Sequence, residues 1–169
     1  RCAGRVVVNA AGPFCDEVRR LAEPDAAPLI APSQGIHLVF DRRFLPGDAA
    51  IMVPHTSDGR VMFAIPWLGT TLVGTTDTPI PEAVAAPSAR EEEIDFLLGT
   101  AGRYLAHAPS REDIRSMFVG IRPLVRAGSA TNTAALSRDH FLIEVNPPRC
   151  EVRDLDSTNG TFVNSERID

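Results

Sequence analysis

His37 is flanked by Ile36 and Leu38 in an otherwise apolar run. An imidazole in that setting is most often a satisfied core or sheet-edge residue, but it can also exchange a proton with a substrate near neutral pH. Arg122 poses a similar choice. It stands between Ile121 and Pro123 at the end of a mostly apolar run, where its charge needs a partner. A phosphate dianion matches its planar fork, and an internal ion pair, for example with Asp77, is the alternative. Near the start, Asn9-Ala10-Ala11-Gly12-Pro13 is a turn of small residues that lets backbone come close to a ligand. A helix opening there favours negative charge, and a tight turn with no ligand is an equally good reading. Near the end, Asn159-Gly160 between apolar runs carries the signal of a β-hairpin.

The elements that must hold these groups can be read from the same chain. A short β-branched run at 5–9 reads as a buried strand, and Pro13 suits the first turn of a following helix. Asp16 and Glu17 fall in that first turn, with Val18 and Leu21 on one face. After the extended stretch marked by Pro24, Pro28 and Pro32, strands are expected over 35–40, 49–53, 60–65 and 70–73, forming an antiparallel meander. Their separators, Pro46-Gly47-Asp48, Ser57-Asp58-Gly59 and Leu68-Gly69, have the composition of turns. Ser88 with Glu91 forms an expected capping box. Ile94, Leu97, Leu98, Ala101 and Leu105 then predict one long helix at about 89–107. Ser110 and Asp113 are expected to cap a short turn before a strand over 114–121. A loop over 128–135 precedes strands over 140–145, 150–155 and 161–163. Trp67 is expected in the core.

Bulk properties exclude several classes. The 169 residues suit one domain or two small ones, and the formal charge of −5 with no basic cluster argues against a nucleic-acid partner. No apolar run is long enough to span a bilayer, so no transmembrane segment is expected. Cys2, Cys15 and Cys150 are odd in number, far apart and without CxxC spacing. They read as reduced thiols of a cytoplasmic protein, with neither a disulfide framework nor a metal site.

Five strings in order carry a family resemblance: Val8-Asn9-Ala10-Ala11-Gly12-Pro13, Pro32-Ser33-Gln34-Gly35-Ile36-His37-Leu38-Val39, Ala64-Ile65-Pro66-Trp67, Gly74-Thr75-Thr76-Asp77-Thr78 and Gly120-Ile121-Arg122-Pro123-Leu124. Residues 1 to about 140 thereby resemble the middle of the FAD-dependent glycerol-3-phosphate dehydrogenase family. The resemblance implies that Asn9, Ala10 and Gly12 lie against the flavin nucleotide of FAD. It implies that His37 accepts the C2 hydroxyl proton of sn-glycerol 3-phosphate while hydride passes to flavin N5, giving dihydroxyacetone phosphate. It assigns Arg122 and Arg138 to the substrate phosphate and puts the Thr75 hydroxyl near the substrate. A quinone is the implied electron acceptor, and peripheral attachment to the inner membrane is implied for the full-length enzyme. The family's Gly-x-Gly-x-x-Gly turn is not found here, so the expectation is a fragment with an incomplete FAD site, inactive alone.

Leu136-Ser137-Arg138-Asp139-His140, followed by Arg153-Asp154-Leu155-Asp156-Ser157-Thr158-Asn159-Gly160-Thr161-Phe162-Val163-Asn164, resembles the centre of a forkhead-associated (FHA) domain. That resemblance implies a phosphothreonine-peptide partner contacted by Ser137, Arg138, Thr158 and Asn159, with His140 and Gly160 shaping the loops. It is the alternative function, as the module of a signalling protein, and an inactive chimera is a third reading. The expected fold class is α+β. A partial FAD and substrate domain occupies 1–135 as a βα remnant, an antiparallel substrate-domain sheet and a helix. A partial FHA-like β segment occupies 136–169, and the join falls within 136–140. Exposed sheet edges make self-association an expectation.

Overall fold

The computed structural model describes residues 8–57 and 59–126 in full, and 141–146, 149–154, 161–163 and 166–168 as backbone strands. The expected strand over 5–9 falls largely outside these residues, as does the expected loop over 128–135. The described residues group into two compact units, one of 33–122 and one of 1–32 with 123–169.

In the second of these units, the Asn9 side chain organises the opening turn. Its Oδ1 accepts from the Ala11 N–H at 3.2 Å and its Nδ2 donates to the Cys15 carbonyl at 2.8 Å. Gly12 takes a φ of +55°, a conformation other residues adopt rarely. It starts a 3-10 turn, Gly12–Phe14, that feeds α1 (Cys15–Arg20). Val18 and Leu21, expected as the helix's apolar face, are exposed, and the buried residue is Asp16. A helix of under two turns has no room for an apolar stripe, so polar contacts anchor it instead. The Asp16 carboxylate accepts from the N–H groups of Leu29 and Ile30, each at 2.9 Å, and from Arg19 at 2.8 Å. Burial pushes the Asp16 carboxyl up, but the Ile30, Leu29 and Arg19 donors outweigh it and hold the group below its ordinary value.

Next comes a twelve-residue strand, β1 (Ile30–Asp41), whose alternation decides the architecture of 33–122. Ile36, Leu38 and Phe40 are fully buried on one face, while His37 and Val39 point to the other. β2 (Ile51–Val53), β3 (Met62–Trp67) and β4 (Thr70–Gly74) follow as an antiparallel meander. The first strand is not at the end of that meander: the sheet order is β2-β3-β4-β1-β5, where β5 is Thr78–Pro79. β1 therefore lies inside the sheet, paired with both β4 and β5. β3 turns into β4 through Leu68 and Gly69, both at positive φ, the geometry that matches the twist of a two-residue hairpin.

Trp67 is not a core residue; it is more than half exposed beside this turn. It shares the sheet face of Phe63, four residues earlier, which is exposed as well. The core face is covered by α2 (Glu91–Ala101), which contributes Ile94, Leu97 and Ala101. Full burial of a side chain the size of Ile94 or Leu97 is worth roughly 1.5–3 kcal/mol.

α2 begins two residues later than a Ser88 cap would require. Glu93, not Glu91, reaches back, accepting from the Arg90 N–H at 3.0 Å. Ser88 instead offers its carbonyl to Gln34 Nε2 at 2.9 Å. The helix also stops short of 107. At Gly102 the ladder tightens, with Arg103 and Tyr104 donating to the carbonyls of Thr100 and Ala101 three residues back. That turn returns Leu105 to the core, so its helical spacing reflects burial without helix. Ser110 donates to Asp113 through both N–H and hydroxyl as expected, and β6 (Ser116–Val125) then pairs with β1. β7 (Phe141–Asn146) pairs antiparallel with β8 (Arg149–Asp154), and β9 (Thr161–Val163) with β10 (Glu166–Ile168), a strand not anticipated from the sequence.

Candidate functional site

His37, Thr75 and Arg122, far apart in sequence, form one cluster on the unit 33–122. β1 supplies His37, the end of β4 leads into Thr75, and β6 supplies Arg122. The Arg122 guanidinium donates to Thr75 Oγ1 at 2.8 Å and lies 3.5 Å from Asp77 Oδ1. The internal ion pair weighed for Arg122 thus exists, but at a length beyond the 2.7–2.9 Å of a tight charge-assisted bond. Asp77 itself accepts from the buried Ser33 hydroxyl, which ties it to β1. The cation is held in place by a hydroxyl and a loosely approached carboxylate.

Two glycines create the space for this cluster. A Cβ on Gly35 would meet Arg122 Nη1 at 2.5 Å and Thr75 Oγ1 at 2.7 Å. A Cβ on Gly74 would meet His37 Cγ and Nε2, both at 2.8 Å. His37 and Gly74 are direct cross-strand partners, so the imidazole leans over a strand with no side chain. Neither glycine was singled out as a site residue from sequence, although each sits inside a string that was. The available signal was a glycine within a strand, which marks close approach by another group.

Phe118 was also missed. Its ring stacks on His37 with centroids 4.9 Å apart and planes 10° apart. Such a contact pairs residues 81 positions apart, and β6 exposes Phe118 too much for its hydrophobicity to have distinguished it. Beneath the cluster, Glu93 on α2 accepts from Gln34 at 2.7 Å, Thr76 at 2.9 Å and Thr78 at 2.7 Å. The Thr76 hydroxyl in turn accepts from the Ile36 N–H at 3.0 Å. One buried carboxylate thereby links the helix start, β1 and the Thr75–Thr78 segment.

Burial lowers the His37 pKa, and the facing positive charge of Arg122 lowers it further. The neutral imidazole, which can accept a proton, is therefore favoured near pH 7. The folded-state pKa lies below the unfolded value of about 6.5. The unfolded chain then binds the proton more readily, so stability should fall as the pH drops through about 6.5 and level off once the folded pKa is passed. Thermal melts of the wild type and His37→Gln between neutral and mildly acidic pH check this. The wild type should lose more stability than the variant over that window, and parallel curves would refute the shift.

Asn9, Ala10 and Gly12 form the tight turn described above in the other unit, where the Asn9 side chain closes the turn itself. Ser137, Arg138, Thr158 and Asn159 lie outside the described residues, together with His140 and Gly160. Cys15 is a free thiol. Among the described residues no cluster of three or more His, Cys, Asp or Glu side chains could hold a metal ion, and no helix is long and apolar enough to cross a membrane.

The sequence profile of the family described as FAD dependent oxidoreductase matches residues 1–147. The chain belongs to the FAD-dependent oxidoreductase family. Among relatives of this oxidoreductase chain, the mitochondrial glycerol-3-phosphate dehydrogenase SDP6 of Arabidopsis thaliana is 44% identical over 143 residues, which is 85% of this chain and 23% of the relative. Human mitochondrial glycerol-3-phosphate dehydrogenase is 40% identical over 140 residues, 82% of this chain and 19% of the relative. The crystal structure of glycerol-3-phosphate dehydrogenase from Bacillus halodurans, complexed with FAD, superposes with a TM-score of 0.59 at 34% identity, covering 68% of this chain and 23% of that one. The chain thus spans about a fifth to a quarter of these relatives' length. A second profile, for the FHA domain, matches residues 127–169 and overlaps the first.

Proposed function

We propose that this chain is the substrate-facing part of a flavin-dependent dehydrogenase that oxidises sn-glycerol 3-phosphate to dihydroxyacetone phosphate, with a quinone as the acceptor of the whole enzyme. The observation that carries the reading is the juxtaposition of His37 and Arg122 over Gly74 and Gly35. A neutral proton acceptor and a cation on one bare patch suit an alcohol that carries a phosphate.

The residues on this sheet face fit FAD in a physical sense. Met52, Phe63, Gly74 and His37 are cross-strand neighbours in one row, all on the sheet face away from α2. Met52 and Phe63 remain 60% and 40% exposed, so the row offers apolar surface and a side-chain-free floor beside the imidazole. A flat, largely apolar ring system suits such a surface. Bound FAD would supply the hydride acceptor. The Asn9, Ala10 and Gly12 backbone is the proposed contact for the nucleotide part.

His37 takes the C2 hydroxyl proton, a role its lowered pKa supports. Arg122 holds the phosphate through its guanidinium, with Thr75 positioning that group and Arg138 proposed as a second donor. Fixing the phosphate at one end orients the C2 hydroxyl toward the imidazole. Calorimetric titration of the chain with glycerol 3-phosphate tests this. Arg122→Lys keeps the charge but loses the planar fork, so affinity should fall about tenfold or more. Equal binding by the variant would sink the assignment.

The FHA profile match favours one second reading, a phosphothreonine-peptide contact through Ser137, Arg138, Thr158 and Asn159. Under it the join between the two parts lies at 136–140, within the overlap of the two matched segments. Titration with a phosphothreonine peptide and its unphosphorylated twin separates the readings, since phosphate-dependent binding is expected of the FHA reading alone.

A further inference from the structure

We propose that Phe118 is a positioning residue for His37, fixing the plane in which the imidazole meets the substrate proton. The inference rests on the proton-accepting role proposed for His37. Strand geometry by itself does not fix a histidine ring, because the torsion about its Cβ–Cγ bond has a broad, roughly two-fold profile. Gly74 deepens that freedom by leaving an open floor where a cross-strand Cβ would otherwise stand. The ring is nevertheless stacked on Phe118 with only 10° between planes.

The placement of Phe118 argues for a task beyond packing. It is 49% exposed and lies outside the apolar cluster between the sheet and α2, whereas its neighbour Val119 packs against that cluster. Strand alternation puts Phe118, Gly120 and Arg122 on the same side of β6. A Cβ on Gly120 would meet nothing within 4 Å, so the aromatic ring and the guanidinium flank an open gap. His37 is thus bounded by Phe118 through its ring face, by Gly74 below and by the charge of Arg122, the charged group that faces it from β6. An aromatic pair of this kind biases one ring orientation about twofold to tenfold.

The test is proton NMR of the 169-residue chain, with the His37 ring signals assigned by their disappearance in His37→Asn. In the wild type these signals should be displaced upfield by the Phe118 ring current and show cross-relaxation to its ring protons. Phe118→Leu, which keeps an apolar cover, should abolish the displacement while leaving the lowered His37 titration, set by burial and Arg122, in place. Phe118→Trp should restore the displacement. Unchanged His37 signals in Phe118→Leu would overturn the proposal. So would missing cross-relaxation in the wild type, a measurement that needs no variant to fold. Adding glycerol 3-phosphate to the same samples separates this from the substrate reading. Displaced His37 signals that ignore the ligand would uphold the positioning contact while refuting glycerol 3-phosphate as its substrate.

Discussion

Gly35→Ala should leave the chain folded and weaken glycerol 3-phosphate binding by about tenfold to a hundredfold, the loss expected when a charge-assisted contact worth roughly 1.5–3 kcal/mol is broken. The new methyl group would stand 2.5 Å from Arg122 Nη1 and 2.7 Å from Thr75 Oγ1, inside both van der Waals surfaces. Neither atom is backbone. The guanidinium is the end of a long flexible side chain and can swing away, so the collision is relieved by moving the cation. Relief on those terms breaks the hydrogen bond to Thr75 and the ion pair with Asp77. Gly35 is buried in β1 and does not take a positive φ, so the backbone itself is not strained by alanine. A melting curve beside a binding titration reads the two effects separately. Wild-type affinity in a folded Gly35→Ala chain would show that the position of Arg122 does not matter. Loss of fold would show that the cluster is structural.

Glu93→Ala is expected to destabilise the chain by about 3 kcal/mol, or roughly 6–12 °C in melting temperature for a chain of this size. The carboxylate is buried and accepts from Gln34, Thr76, Thr78 and the Arg90 N–H. Burial by itself would push the Glu93 carboxyl up. The Arg90, Thr78, Gln34 and Thr76 donors outweigh that effect and hold the group below its usual range. Truncation removes the common acceptor and leaves buried donors unsatisfied, which costs more than the net worth of any one bond.

Glu93→Gln keeps the shape but turns half of the acceptor into a donor facing other donors, so an intermediate loss is expected. The pH sign follows from the depressed pKa. The contribution of Glu93 is complete above its unfolded value of about 4.3 and is lost as pH falls through the lower folded value. Denaturant midpoints of the three proteins, measured at pH 7 and in this acidic window, check both statements. A Glu93→Ala midpoint within about 0.5 kcal/mol of wild type would mean the network is decorative.

These two substitutions also mark where the sequence was legible. The strands of the meander and the helix over 91–101 could be read because alternation and 3.6-residue spacing are local patterns that burial imposes on neighbours in sequence. Their ends were read less well. Leu105 has helical spacing yet reaches the core by a tightened turn, and Ser88 looks like a cap while its carbonyl is engaged by Gln34. Both outcomes depend on groups many residues away. Trp67 was misplaced for the same reason, since whether a sheet face is covered is a property of the whole layer.

By themselves, the residues determined which groups have chemistry to offer: an imidazole in an apolar strand, an arginine ending another, and a bare turn at Asn9–Gly12. They also determined that an antiparallel sheet and one substantial helix would carry them. Tertiary structure decided that His37, Thr75 and Arg122 share one patch, that Gly35 and Gly74 hollow out its floor, and that Phe118 lies flat on the imidazole. The physical reason is the order of strands. β1 pairs with β4, β5 and β6, and those pairings join residues 37, 74, 78 and 118–122 across sequence gaps that no periodicity spans.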